Sequence, residues 1–334
     1  MRRLTTTLEN TAGRFGGVNL LPVAVALVAF VLIGAPSSWL TLTVAGLAMG
    51  MMLFLMASGL SLVFGLMDVL NFGHSAFVSF GAFVSATVLA GMGAWLTADS
   101  WVLNSLALAA SYLAAICFGL VAGWFFETVI IKPVYRDHLR QILITIGAMI
   151  VAEQAILAFW GGTPFSVARP AFLEGSWIIG DVSIEIYRAF AFTLGAAVFV
   201  MLFFVLNRTR IGLLIRAGVE DREMVEALGF RVDRLFIGVF MLGSALAALG
   251  GAMWAGYETL ITPHMGAELM IVVFIVVIIG GLGSIEGTLL GAIMVGLMSN
   301  YIGFLAPKLA LASNMILMVA ILLWRPNGLR PAVK

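Results

Sequence analysis

The residues able to do chemistry in this chain gather in four places. Asn71 and His74 sit in a glycine-broken apolar stretch, Gly59 to Gly81, with Asp68 beside them. Glu153 and Gln154 are adjacent in the middle of an apolar run, and Glu286 stands with Ser284 inside the glycine-rich segment Gly280–Gly291. The fourth place is residues 207–234, a long polar interruption holding six arginines (208, 210, 216, 222, 231, 234) and five acids (Glu220, Asp221, Glu223, Glu226, Asp233). None of these patterns suits bond-making. A phosphate-binding loop ends in Gly-Lys-Ser/Thr, and none of the three lysines (132, 308, 334) follows a glycine. The three histidines have no ligand companions at metal spacing, so no metal site is expected. No nucleophile elbow or zinc-protease motif occurs. Polar groups inside apolar segments are instead expected where a solute passes or a helix breaks. The chain is expected to move something rather than transform it: not an enzyme, with no cofactor bound and no nucleic-acid partner.

The elements that must position these groups are membrane helices. Hydrophobic residues make up 62% of the chain and charged ones 10%, far from a soluble domain. Apolar runs of about 20 residues recur and are continuous rather than alternating, which selects an all-α polytopic bundle and rejects a β-barrel. About ten spans (8–10) are expected: 20–35, 40–67, 72–92, 103–131, 141–160, 187–206, 236–257, 269–282, 285–305 and 309–324. Residues 1–19 form an N-terminal tail, 20–324 a single transmembrane domain, and 325–334 a C-terminal tail. Placing 207–234 in the cytoplasm puts both termini there too. Every Lys and Arg then lies on that side except Arg169, Arg188 and Lys308, a strong positive-inside bias. Residues 161–186 become an external segment whose Trp177 and Tyr187 suit a membrane interface. Glu258, His264 and Glu268 are expected in an external loop, solvated. Glu127 is expected to snorkel from a helix end. The single Cys117 admits no internal disulfide.

Within 207–234, Val219 to Leu228 reads as a short amphipathic helix. Glu220, Asp221 and Glu223 lie near its N-terminus, where the helix dipole favours negative charge. Gly229 follows as the residue that ends it. Met224, Val225 and Leu228 fall at helical spacing and are expected on one apolar face. A helix this small builds no domain of its own; it suits resting on another protein.

Three blocks resemble the permease subunits of branched-chain amino-acid ABC importers. In Gly59–Ala82, GLSLVFGLMDVLNFGHSAFVSFGA, the residues Asn71, Phe72 and His74 match the family's Asn-Phe-Ala-His-Gly; Gly73 replaces the usual alanine and Ser75 the usual glycine. In the 216–234 stretch, Arg216, Ala217, Asp221, Gly229, Phe230 and Arg234 match, with Val225 where alanine is usual. Gly280, Gly281, Gly283, Ser284, Gly287 and Gly291 match the family's glycine-rich segment. The resemblance implies an importer in the bacterial inner membrane built from two ATPase subunits, two permeases (this chain and a second, non-identical one) and a periplasmic binding protein. ATP and Mg would bind the partner ATPase. The ATPase-coupling residues would be Arg216, Ala217, Glu220, Asp221, Arg222, Met224, Val225, Leu228, Gly229 and Arg234. Asn71, His74, Glu153, Gln154, Gly280, Gly281, Gly283 and Ser284 are the candidates for the translocation pathway. Related permeases handle urea, amides or aromatic acids. A different class is an ion-coupled carrier or channel, in which Asp68, Glu153 or Glu286 takes a proton or sodium ion.

Overall fold

Each expected apolar run folds as a helix, since a chain in hydrocarbon must satisfy its own backbone hydrogen bonds. The computed structural model describes residues 20–331 apart from 68, 70, 136 and 221, and the helical side chains apart from those of 66, 211, 216, 219, 220, 222, 223 and 311. In chain order the helices are α1 Leu21–Ile33, α2 Pro36–Met67, α3 His74–Gly91, α4 Trp101–Phe125, α5 His138–Trp160, α6 Ile186–Arg208, α7 Arg210–Glu220, α8 Arg222–Ala227, α9 Val232–Glu258, α10 Met265–Gly280, α11 Ile285–Leu305 and α12 Ala310–Trp324. Seven of those described (α2–α6, α9 and α11) are long and apolar enough to cross a membrane. α1, α10 and α12 have 13, 16 and 15 residues. At 1.5 Å per residue that is roughly 20–24 Å, short of a hydrocarbon core of about 30 Å. α1 stops at Gly34 and α10 at Gly281, both with positive φ (70° and 102°).

α2 and α9 form the buried centre, with α3, α4, α6, α10 and α11 around them. Small residues set the spacing, because lipid supplies no hydrophobic drive and close approach must supply the contact energy. A Cβ on Gly81 of α3 would lie 2.2 Å from the Ala248 carbonyl oxygen of α9. One on Gly59 of α2 would lie 2.2 Å from the Gly243 carbonyl oxygen. On the other flank of α2, a Cβ on Gly296 of α11 would lie 2.3 Å from the Gly46 carbonyl oxygen.

Residues 161–186 carry strands that the sequence reading did not foresee. β1 Phe165–Ser166 pairs antiparallel with β4 Leu260–Ile261, and β2 Ser176–Ile179 with β3 Val182–Glu185. Arg169 ties the segment down. Its Nε donates to the Gly256 carbonyl at 2.5 Å and its Nη2 to that of Tyr257 at 2.6 Å. Nη1 pairs with Glu185, and the guanidinium lies 4.9 Å from the centre of the Tyr187 ring. Glu185 also pairs with Arg188, 2.8 Å away. Trp177 is exposed, whereas Tyr187 is buried instead of facing an interface. The cause is Gly256, which leaves α9 bare enough for the Tyr187 hydroxyl to donate to the Met253 carbonyl at 2.6 Å and meet the Tyr112 hydroxyl at 3.1 Å.

Candidate functional site

The 207–234 stretch is helical over Arg210–Glu220 and Arg222–Ala227, on either side of residue 221, which lies outside the described residues. Thr209 breaks α6 with extended backbone, and its hydroxyl accepts the Gly212 N–H at 3.4 Å, starting α7. Of the expected 219–228 helix, residues 219–220 and 222–227 are helical. Its end is as expected. The Gly229 N–H donates to the Glu226 carbonyl at 2.9 Å and the Phe230 N–H to that of Val225 at 3.2 Å, with Gly229 at φ +86°. This is a Schellman C-cap, for which glycine is suited.

Val225 turns inward and is buried with Val232 and Phe236, against Met67 at the end of α2 and Ala217 of α7. Met224 and Leu228, one helical turn apart, are exposed at 61% and 69%, and Phe230 at 49%. The expected single apolar face is therefore two. Val225 lies about 100° round the helix from Met224 and roots α8 in its own chain. The 224/228 face is left outside. Gly229 and Arg234 are exposed, and Ala217 is half-buried. Asp221 lies outside the described residues, as do the side chains of Arg216, Glu220 and Arg222.

A second constellation lies at the glycine-broken stretch. The His74 Nε2 is 2.9 Å from the Met56 carbonyl oxygen, which lies eleven residues back from the end of α2. α3 therefore starts beside the interior of α2 rather than at its end. Asn71 is fully buried, and neither polar atom of its amide has a hydrogen-bond partner among the described residues. α10 begins close by: the Gly266 N–H donates to Ser79 Oγ at 3.0 Å, and a Cβ on Gly266 would sit 2.4 Å from the Ser75 carbonyl oxygen. Two half-helix N-termini thus converge. Between them and α5 lies a narrow cleft lined by Ser75, Ala76, Ser79, Met149, Ala152, Glu153, Ile156 and Ala267.

Glu153 is mostly buried and lies 3.5 Å from Nδ1 of His264, an exposed residue that the sequence reading left fully solvated. Gln154, its neighbour, lies about 100° round α5 and is exposed. Structure brings Glu153 to the Ser75–Ser79 end of α3 and leaves Gln154 out.

Gly280, Gly281, Gly283 and Ser284 lie elsewhere, where residues 325–331 fold back over the glycine-rich turn. The Leu329 N–H donates to the Ile279 carbonyl at 2.8 Å and the Arg330 N–H to that of Gly280 at 3.0 Å. Leu329 is fully buried. A Cβ on Gly281 would lie 2.9 Å from Pro331 Cα, and one on Gly65 of α2 would lie 2.4 Å from Gly283 Cα. Ser284 caps α11, its hydroxyl accepting the Gly287 N–H at 3.1 Å.

Sequence reasoning missed Ser75 and Ser79 and misplaced Glu127. Rather than snorkelling, Glu127 is 1% exposed. It lies in a π-helical turn, Phe126–Ile131, where its carboxylate accepts from the Tyr135 hydroxyl at 2.5 Å and the Thr128 hydroxyl at 3.4 Å. Such turns are rare and cluster at functional sites. The same turn explains Gly73: the Phe126 ring occupies the place of its missing Cβ, which would be 2.3 Å from Cζ.

Residues 42–324 match the family model described as the permease component of the branched-chain amino acid transport system. The chain is 28% identical over 299 residues to the high-affinity branched-chain amino acid permease protein LivH of Salmonella typhimurium, covering 86% of this chain and 95% of that one. It is also 28% identical over 301 residues to BraD of Pseudomonas aeruginosa, with the same coverage. In fold it is similar to a metal-chelate-type ABC transporter solved in an inward-facing conformation (TM-score 0.48, 16% identity, covering 94% of this chain and 99% of that one). With three sequence blocks in order and a model match spanning nearly all its membrane helices, the chain belongs to the branched-chain amino acid transport permease family, as a multi-pass membrane subunit of an ABC transporter.

Proposed function

We propose that this chain forms half of the membrane pathway of an ATP-driven importer for branched-chain or related small hydrophobic amino acids. It sits in the bacterial inner membrane with both termini in the cytoplasm. A second, non-identical permease, two ATPase subunits and a periplasmic binding protein complete the assembly. ATP and Mg are held by the ATPase, and this chain binds neither and catalyses no reaction.

The observation that carries the coupling half of this reading is the α8 face of Met224 and Leu228, exposed beside Phe230. α8 is rooted through Val225 to the ends of α2 and α9. A push on that face moves two central helices at once. α2 leads, through residues 68–73, to the break carrying Asn71 and His74. Coupling of this kind travels through packed elements with two arrangements.

The pathway half rests on charge. An amino acid carries an ammonium, a carboxylate and an apolar side chain. Glu153 suits the ammonium, and the N-termini of α3 and α10 suit the carboxylate. Asn71 offers an amide with both hydrogen-bonding ends unused.

The test is Leu228→Asp in proteoliposomes containing the whole assembly. Uptake of labelled leucine is expected to fall about tenfold or more, the effect of losing ~1.4 kcal/mol of coupling. The ATPase continues to hydrolyse ATP and the protein stays monodisperse. Unchanged uptake would remove α8 from the coupling role.

A further inference from the structure

An open groove lies between α6, α11 and the folded-back tail, away from both constellations above. It measures about 450 Å³ and is lined by Phe199, Phe203, Leu289, Leu290, Glu286 and Arg330. Its polar and apolar parts are separated by depth. Glu286 is in the first turn of α11 and pairs with Arg330 from the tail, so the two charges mark the mouth. Each is about one-third exposed. Phe203 and Phe199 lie five and nine residues before the end of α6 at Arg208, or about 7 and 13 Å further in. Leu289 and Leu290 line the opposite wall from α11. Phe199 rests edge-on against Phe54 of α2, their ring centres 5.6 Å apart, which fixes that wall.

We propose that this groove holds a phospholipid with a zwitterionic, primary-amine headgroup. A headgroup lies where helices leave the hydrocarbon core and an acyl chain runs inward from there. The charges and the aromatic walls follow that order. The mouth also selects among headgroups, because it carries one charge of each sign. The phosphate takes the Arg330 guanidinium, whose planar fork matches it, and the ammonium takes the Glu286 carboxylate. A purely anionic headgroup meets Glu286 as a like charge, and a quaternary amine has no N–H to donate. An Arg330–Glu286 pair one-third exposed is of a kind worth little on its own, so exchanging it for two lipid contacts costs little. The lipid would brace the tail, and through it the glycine turn under Leu329.

Native mass spectrometry of the full chain, purified from membranes and incubated in turn with phosphatidylethanolamine, phosphatidylglycerol and phosphatidylcholine, tests the assignment. Phosphatidylethanolamine is expected to stay bound about tenfold more than the other two, as one charge-assisted hydrogen bond of ~1.5 kcal/mol implies. Glu286→Gln removes that preference. Leu290→Trp fills the groove without touching the charges and lowers retention of all three lipids together. Equal retention of the three headgroups by the wild-type chain would overturn the proposal. So would a phosphatidylethanolamine adduct that survives both substitutions, or leucine displacing the lipid from the groove.

Discussion

At the residue scale, the fold turns on positions where a side chain is absent or unsatisfied. Gly81 and Gly147 make the contrast testable. A Cβ on Gly81 meets the backbone of α9 at 2.2 Å, whereas one on Gly147 of α5 meets nothing within 4 Å. Gly81→Ala is therefore expected to destabilise by about 1–3 kcal/mol, as overpacking does. Gly147→Ala leaves the thermal midpoint in detergent within a degree or two, by the scale of exposed substitutions of about ±0.5 kcal/mol. Asn71 gives the opposite pattern. Burying an unpaired amide costs on the order of 1–3 kcal/mol, so Asn71→Leu is expected to raise the thermal midpoint while lowering leucine uptake. A higher midpoint with normal uptake would take Asn71 out of the pathway. Tyr135→Phe strips the Glu127 carboxylate of its 2.5 Å donor. The expected loss of stability is about 1–3 kcal/mol, read as a lower midpoint.

At the element scale, the helices themselves were legible in the sequence and their exceptions were not. Runs such as 187–206 and 285–305 are apolar throughout, and membrane solvation leaves helix as the outcome. Gly229 announced its own C-cap because only a residue tolerant of positive φ serves there. The direction of Val225 was not legible. Valine at that position fits either face of the helix, and the partner cluster of Val232 and Phe236 lies in a different helix. Nor was the start of α3 within the bundle, which depends on a hydrogen bond from His74 to a carbonyl 18 residues away. The π-turn around Glu127 has no sequence signature of its own. The two faces of α8 make separate predictions. Val225→Asp buries a charge in the Val232–Phe236 cluster and is expected to cost on the order of 3 kcal/mol, visible as protease sensitivity of the 207–234 loop. Leu228→Asp leaves that loop as resistant as the wild type.

At the scale of the whole molecule, two systems link distant parts. One is the Val225 cluster, which joins α8 to the ends of α2 and α9. The other is Arg169, which joins the 161–186 segment to the opposite end of α9 through the Gly256 and Tyr257 carbonyls. α9 thus runs between the side given to an ATPase and the side given to a binding protein, with its middle glycines closed on α2 and α3. A subunit so built has the means to pass a push through the membrane. The most direct measurement of that central claim is uptake of labelled leucine into proteoliposomes holding this chain alone, and then with the proposed ATPase, second permease and binding protein. Uptake is expected only in the complete assembly and only with ATP. Uptake by the chain alone, driven by a proton or sodium gradient, would contradict the account and make Glu153 an ion-coupling group instead.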